Sequence, residues 1–213
     1  MTQLASQRNR LAGGGLVAGG ILTIVGFFVT TAVYGGNGDD RFTHPLFPAL
    51  YSIGLAGTIL SILGFPAILA AQKERMPRLT LVGYVGTLAT IVMLNLGEGV
   101  VEAYVKPYLA THGGIPDEPR SFTIYFTVAA LLMIVGLFAL GVAVIRAHVF
   151  PWWVGALLIA AVPLSFVGTS LPGPLALLGD YLAFAAFIVM GWSVVRPARS
   201  RVTRAVAEVE AAA

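Results

Sequence analysis

The chain has no cysteine and carries little charge for its length. The absence of cysteine from all 213 residues excludes disulfides, thiolate metal sites and dithiol redox chemistry. Charged residues make up 11% of the chain and hydrophobic residues 57%, whereas an ordinary soluble domain is about 25% charged. So few charges cannot solvate a globule of this size, and the composition therefore favours a membrane protein.

The apolar segments also lack the residues that several membrane chemistries require. The three histidines, His44, His112 and His148, fall between the long apolar runs, which argues against a haem with axial histidines. No lysine lies within a run, so a retinal Schiff base has no site, and Ser165 and Ser170 have no histidine partner for nucleophilic catalysis. We therefore predict no cofactor and no catalytic residue, and we favour a protein that is not an enzyme.

What the sequence does contain is six long apolar runs. They cover residues 11–34, 46–71, 79–105, 122–145, 152–171 and 175–195. A helix of about 20 apolar residues spans about 30 Å of hydrocarbon and makes all its backbone hydrogen bonds internally. We predict an all-α integral membrane protein, a compact bundle of six transmembrane helices with short loops. The bundle covers residues 11–195, and the tails are residues 1–10 and 196–213.

The basic residues predict the orientation of this bundle. If the chain has six spans, three basic residues fall on one side of the membrane, namely Arg41, Lys106 and Arg120. The other ten fall on the side of the termini, namely Arg8, Arg10, Lys73, Arg75, Arg78, Arg146, Arg196, Arg199, Arg201 and Arg204. Because Lys and Arg are enriched in cytoplasmic loops, both termini are predicted to be cytoplasmic. The net charge of +3 then reflects topology and does not predict binding to nucleic acid. The Ala, Gly, Val and Arg bias favours a bacterial inner-membrane protein.

Two segments predict contacts beyond the bundle interior. The tail after Val195 is rich in arginine, and we expect it to contact anionic lipid at the cytoplasmic surface. Gly15 and Gly19 form a GxxxG pattern in the first run, which allows close helix packing within the chain or a homo-oligomer through that run. Pro66 and Pro163 lie inside runs and are expected to kink or end their helices.

Acidic residues near the ends of two runs are the candidates for a site. Asn95, Glu98 and Glu102 have the spacing i, i+3 and i+7, which places them on one face of an α-helix, and Asp180 lies near the start of the sixth run. Ionisable groups near hydrocarbon are costly and are functional candidates by default. Each also has a structural alternative: an exposed Glu102–Lys106 pair, a carboxylate of Glu98 hydrogen-bonded by a neighbouring helix or water, and Asp180 beside a helix dipole.

The two long outer loops add further candidates. Asp39, Asp40 and His44 lie in the first outer loop, and His112, Asp117 and Glu118 are placed in the second. Carboxylates and imidazoles that converge at one end of the bundle could bind a divalent cation, carry protons or recognise an amine. No established metal-binding spacing occurs among these residues, so the three chemistries stay open.

Two functions of different classes follow from this pattern. The leading hypothesis is a small membrane protein that binds a lipid or a small amphipathic ligand in a cavity open toward the outer leaflet, or that serves as a partner subunit. The alternative is a small cation or proton-coupled transporter or channel with an acidic outer vestibule. In both hypotheses the vestibule is formed by Asn95, Glu98, Glu102 and Asp180. A lipid-modifying enzyme ranks third because no nucleophile can be paired with a base.

Overall fold

The protein is helical throughout the residues that the structure describes. The computed structural model describes residues 2–35, 38–72, 74–75, 77–116 and 119–196, with side chains from residue 7 onward. Within these ranges there is no strand, and the α-helices are α1 Thr2–Tyr34, α2 Phe47–Gly64, α3 Pro66–Gln72, α4 Pro77–Thr90, α5 Lys106–His112, α6 Arg120–Ala147, α7 Trp152–Gly168 and α8 Leu178–Val195. Short 3-10 segments cover Gly38–Thr43 and Gly173–Leu177, and π-helical segments cover Ile91–Glu98 and Val101–Val105.

Five helical stretches are long and apolar enough to cross a membrane. They are Gln7–Tyr34, Phe47–Gln72, Pro77–His112, Arg120–Ala147 and Gly173–Val195. Helix α7 is also apolar, but it is shorter, with 17 residues. The prediction of an all-helical fold is confirmed, and the lengths of these helices support a membrane bundle.

Several helix ends differ from the predicted ones. Helix α1 begins at Thr2, so the predicted tail of residues 1–10 is largely helical. The third run continues as helix to His112, and the predicted loop from residue 106 is wrong, because α5 follows directly on the π-helical segment Val101–Val105. Helix α7 ends at Gly168 and not at residue 171. The arginine-rich tail beyond Arg196 lies outside the described residues.

The two prolines inside the runs have different effects. Pro66 divides the second run into α2 and α3, because proline donates no backbone hydrogen bond and its ring collides with the carbonyl one turn earlier. At this break the Phe65 N–H donates to the Ile62 carbonyl at 3.2 Å, a tighter turn than an α-helix makes. Helix α7, in contrast, continues through Pro163.

The helices form a ring in which neighbours in sequence are neighbours in space. Going round the ring, α1 packs on α2, and α2 packs on the π-helical segments that continue α4. Helix α4 packs on α6, α6 on α7, α7 on α8, and α8 on α1. Glycines set the closest approaches: Gly19 of α1 lies against Gly57 of α2, and Gly86 of α4 lies against Gly136 of α6. Such close backbone contact is typical of helices that associate in lipid. Gly15 and Gly19, the GxxxG pair of α1, both face α2, so this pair packs within the chain. A homo-oligomer through α1 stays a prediction.

One end of the ring is filled and the other holds cavities. Helix α3 contacts α1, α4, α6 and α8, and its neighbour Phe65 packs edge-on against Phe187 at 5.1 Å between ring centroids. Phe65, Ile68, Leu140 and Phe187 are buried in this core. The end of the ring that contains this core is called the His148 end, after the residue that follows α6. The opposite end, where α1 ends and α2 begins, is called the Phe42 end, and the cavities lie there.

Candidate functional site

The candidate site is a cavity of about 370 Å³ inside the Phe42 end, which we call the main cavity. Its polar lining includes Asn95 and Glu98 from the third membrane stretch and Asp180 from α8. Its walls are otherwise mostly apolar and include Phe27, Tyr51, Leu94, Phe126, Met133 and Phe166. All six helices of the ring or their extensions contribute to this lining. The structure thus brings three of the four predicted vestibule residues to one cavity.

A second cavity of about 220 Å³ adjoins the main cavity. The two share Phe27, Tyr51 and Glu98, and the second adds Arg41 and Glu102. Glu98 therefore lies on the wall of both cavities. The fourth predicted residue, Glu102, belongs to the same vestibule but lines only its second part.

The backbone around Asn95, Glu98 and Glu102 is π-helical, which changes the predicted geometry. A π-helix bonds residue i to i+5, so the α-helical geometry assumed for these residues is wrong here, although all three side chains line one or other of the two adjoining cavities. The Tyr125 hydroxyl of α6 donates to the Met93 carbonyl of this segment at 2.5 Å. That bond ties α6 to the π-helical wall of the main cavity. Distortions of this kind are frequent at functional sites.

Glu102 is held between two cations. Its Oε2 lies 3.1 Å from Arg41 Nη2, and its Oε1 lies 2.5 Å from Lys106 Nζ. The predicted Glu102–Lys106 pair is therefore present, but Glu102 is only 9% exposed, so the expectation of an exposed pair is wrong. Arg41 was not among the sequence candidates. Because it lies 61 residues from Glu102, no helical spacing could have indicated the contact.

Phe42 anchors the segment that carries Arg41. Its ring is 2% exposed and packs edge-on against Phe47 with centroids 5.4 Å apart. The Arg41 guanidinium carbon lies 4.6 Å from the centre of the Phe42 ring, and Lys106 Nζ lies 5.6 Å from it. Burial and cation–π attraction both favour this arrangement. The 3-10 segment Gly38–Thr43 is thereby fixed against the end of the bundle.

The two histidines predicted to lie in outer loops, His44 and His112, line neither the main cavity nor the second cavity. The Leu46 N–H donates to His44 Nδ1 at 3.3 Å, and the Tyr34 hydroxyl oxygen lies 2.9 Å from the same nitrogen. His112 stacks on Tyr108 with ring centroids 4.3 Å apart. It lies in the last turn of α5, so its predicted loop position is wrong. Neither histidine is brought together with the vestibule carboxylates.

The remaining acidic loop candidates are also separate from the main cavity. Asp39 lines a third cavity of about 360 Å³, together with Lys106 and mainly apolar residues, and Asp40 is exposed. Asp117 and Glu118 lie outside the described residues. Within the described ranges, no three His, Cys, Asp or Glu residues form a group that could hold a metal ion.

The main cavity combines a few polar groups with aromatic walls that the sequence did not single out. Asp180 lies in the first turn of α8, where its charge complements the helix dipole, and it also lines the cavity. Phe27, Phe126 and Phe166 were missed because an apolar residue inside a run gives no sign of which way it faces. Tyr51 also lines the cavity. Chemically, the site offers two carboxylates and an amide at the edge of an apolar chamber.

Comparison with known proteins adds no relative to this description: no family model, no curated protein and no solved structure matches the chain.

Proposed function

We propose that this protein binds a small amphipathic ligand in the main cavity without catalysing a reaction. The observation that carries the proposal is the lining itself, in which Asn95, Glu98 and Asp180 interrupt walls formed largely by aromatic and aliphatic side chains. Ligand sites are typically concave, mostly apolar and equipped with few polar groups, and their volumes run from about 300 to 1,000 Å³. A cavity of about 370 Å³ suits a ligand at the small end of that range.

The proposal includes six spans with both termini in the cytoplasm. Helix α7 has 17 residues, and at about 1.5 Å per residue it reaches the lower limit for crossing the hydrocarbon. Counting α7 as a span puts the Phe42 end on the outer side, in agreement with the excess of basic residues on the other side. The main cavity would then face the outside or the outer leaflet of a membrane, which we take to be a bacterial inner membrane.

The side of the bundle offers a route into the cavity. Phe166 lines the main cavity and is nevertheless 48% exposed, so one ring contacts both the cavity and the surroundings of the bundle. It lies two residues before the end of α7, at the depth where hydrocarbon meets headgroups. An amphipathic molecule dissolved in the outer leaflet could therefore reach the cavity past Phe166.

Two observations favour binding over cation transport. Phe65, Ile68, Leu140 and Phe187 are packed in the interior at the His148 end, whereas transport requires a path through that interior. Glu102, one of the three carboxylates expected to attract cations, is already paired with Arg41 and Lys106. The vestibule thus carries less negative charge than its acidic residues alone predict. A partner subunit has no specific contact in its favour.

Binding can be tested with 2-phenylethanol, a neutral amphipathic probe small enough for the cavity. We expect saturable binding to the full-length protein in nanodiscs, measured by ligand-observed NMR against empty nanodiscs. Ala130 lines the main cavity, so Ala130→Phe should fill it and abolish the saturable component. Ala56 is exposed on α2, so Ala56→Phe adds the same ring outside the cavity and should leave binding unchanged. Equal signals from the protein, both variants and empty nanodiscs would contradict the proposal.

A further inference from the structure

We infer that the ligand of the main cavity is an organic monocation, a protonated amine attached to an apolar body. This inference rests on the proposed binding function and specifies the class of ligand. It depends on the acidic residues that line the cavity and on the aromatic rings beside them. It also depends on the lack of basic residues and of a metal-binding group in the described lining.

The cavity wall carries two acidic side chains. Glu98 and Asp180 both line the main cavity, and they come from opposite sides of the ring, the third membrane stretch and α8. No Lys, Arg or His is among the described residues that line it. Arg41 lines only the adjoining cavity, where its guanidinium is paired with Glu102. A ligand in the main cavity therefore meets two carboxylates and no cationic side chain.

Aromatic rings on the same wall suit a cation with an apolar body. Phe27 and Tyr51 lie with ring centroids 5.0 Å apart and both face the main cavity, as do Phe126 and Phe166. The face of an aromatic ring attracts an ammonium group, and the attraction is greater where water is excluded. The same rings provide the apolar contact that an inorganic cation would not use. The Asn95 amide oxygen can accept a further N–H bond.

The lining is poorly suited to the competing ligand classes. A divalent metal requires several oxygen or nitrogen ligands at one point, and no three acidic or histidine residues within the described ranges form such a group. An anionic headgroup would be placed beside two carboxylates without a basic residue to balance it. A neutral amphiphile fits the walls but brings no positive charge next to Glu98 and Asp180.

A matched series of three probes tests this inference. The probes are 2-phenylethylammonium, 2-phenylethanol and phenylacetate, which share a phenyl ring and differ in the charge of the polar end. With the full-length protein in nanodiscs, we expect the cation to bind at least about tenfold more tightly than the alcohol, and the anion to bind most weakly. Glu98→Gln and Asp180→Asn should each reduce the affinity for the cation about tenfold and should reduce the affinity for the alcohol by a clearly smaller factor.

The controls separate this inference from the proposed function. Asp40 is exposed and lines none of the cavities described, so Asp40→Asn removes one negative charge from the same end and should leave all three affinities unchanged. Retained binding of the alcohol also shows that each variant is folded. If the alcohol binds as well as the cation, and neither carboxylate variant alters the ratio, the inference is wrong while the binding function stands. If Ala130→Phe weakens the binding of none of the three probes, the proposed binding function itself is wrong.

Discussion

At the scale of single residues, Glu102 is the carboxylate that balances two neighbouring positive charges. It is almost buried and contacts Arg41 and Lys106, both of which also lie close to the Phe42 ring. Without Glu102, two cations would face each other beside an apolar ring. A buried ion pair adds little net stability, but removal of one partner strands the other, which is costly.

We therefore predict that Glu102→Gln destabilises the protein more than the loss of an ordinary surface charge. The free energy of unfolding should fall by about 1 to 3 kcal/mol, because glutamine keeps the shape but not the charge that balances two cations. The measurement is reversible unfolding in mixed micelles, followed by circular dichroism. Asp40→Asn serves as the control, since Asp40 is exposed and should change stability by less than about 0.5 kcal/mol.

A double-mutant cycle with Arg41→Met checks the cause. If Arg41 is the cation stranded by Glu102→Gln, removing both groups should cost less than the sum of the two single changes. Additive effects would show that the two side chains do not interact energetically, despite their separation of 3.1 Å.

The sequence could predict only half of this cluster. The spacing of Glu102 and Lys106 on a helix indicates a pair from local geometry alone. The contact with Arg41 depends on how the segment Gly38–Thr43 folds back over the bundle, which is set by the burial of Phe42. The same limit applies to Phe27 and Phe166, since a hydropathy pattern does not distinguish a ring that faces a cavity from one that faces lipid.

At the scale of helices, the glycines of α1 are unequal. A Cβ on Gly19 would be 2.7 Å from the Gly57 carbonyl oxygen and would also collide with the backbone nitrogen of Ser61. Gly14 has no heavy atom within 4 Å of the place where a Cβ would stand. Two glycines five residues apart in one helix therefore have opposite tolerance for a methyl group.

We predict that Gly19→Ala destabilises the bundle by about 1 to 3 kcal/mol, because backbone on the facing helix cannot move aside as a side chain can. Gly14→Ala should be neutral or stabilising by up to about 1 kcal/mol, since alanine favours the helix. Thermal unfolding of both variants in one detergent provides the comparison. Similar unfolding temperatures would mean that α1 and α2 do not pack as closely as the structure has them.

Run length predicted where most helices lie, but it could not predict their internal geometry. The break at Pro66 was indicated because proline has a specific steric effect. The π-helical segments were not indicated, because the same apolar residues satisfy an α-helix and a π-helix equally well. The extension to His112 was missed for a related reason: polar residues end a hydrophobic run without ending a helix.

At the scale of the whole molecule, the number of spans determines whether the two ends of the bundle sequence, α1 and α8, begin and finish on the same side of the membrane. Because the chain has no cysteine, single cysteines can be introduced without background labelling. Val149 and Ser170 lie at the two ends of α7 and are exposed, which makes them the positions that distinguish six spans from five.

We predict that Ser170→Cys reacts with a membrane-impermeant maleimide in intact cells, whereas Val149→Cys reacts only after permeabilisation. Asp40→Cys and Glu74→Cys give the reference signals for the outer and inner sides, since both residues are exposed and precede α7 in the chain. Labelling of Val149→Cys and Ser170→Cys from the same side would mean that α7 does not cross the membrane, and the six-span proposal would be wrong.

The ring arrangement has a consequence for how the protein is made. Most of its contacts join helices that leave the ribosome one after the other, so each can dock on its predecessor during synthesis with little loss of chain entropy. The contact between α8 and α1 is the exception. Until α8 emerges, the face of α1 that carries Gly13 and Gly20, which receives α8 in the finished ring, has no partner within the chain. The nascent protein is thus an open arc whose final helix completes the circle, and truncations before α8 should be the forms that the cell degrades fastest.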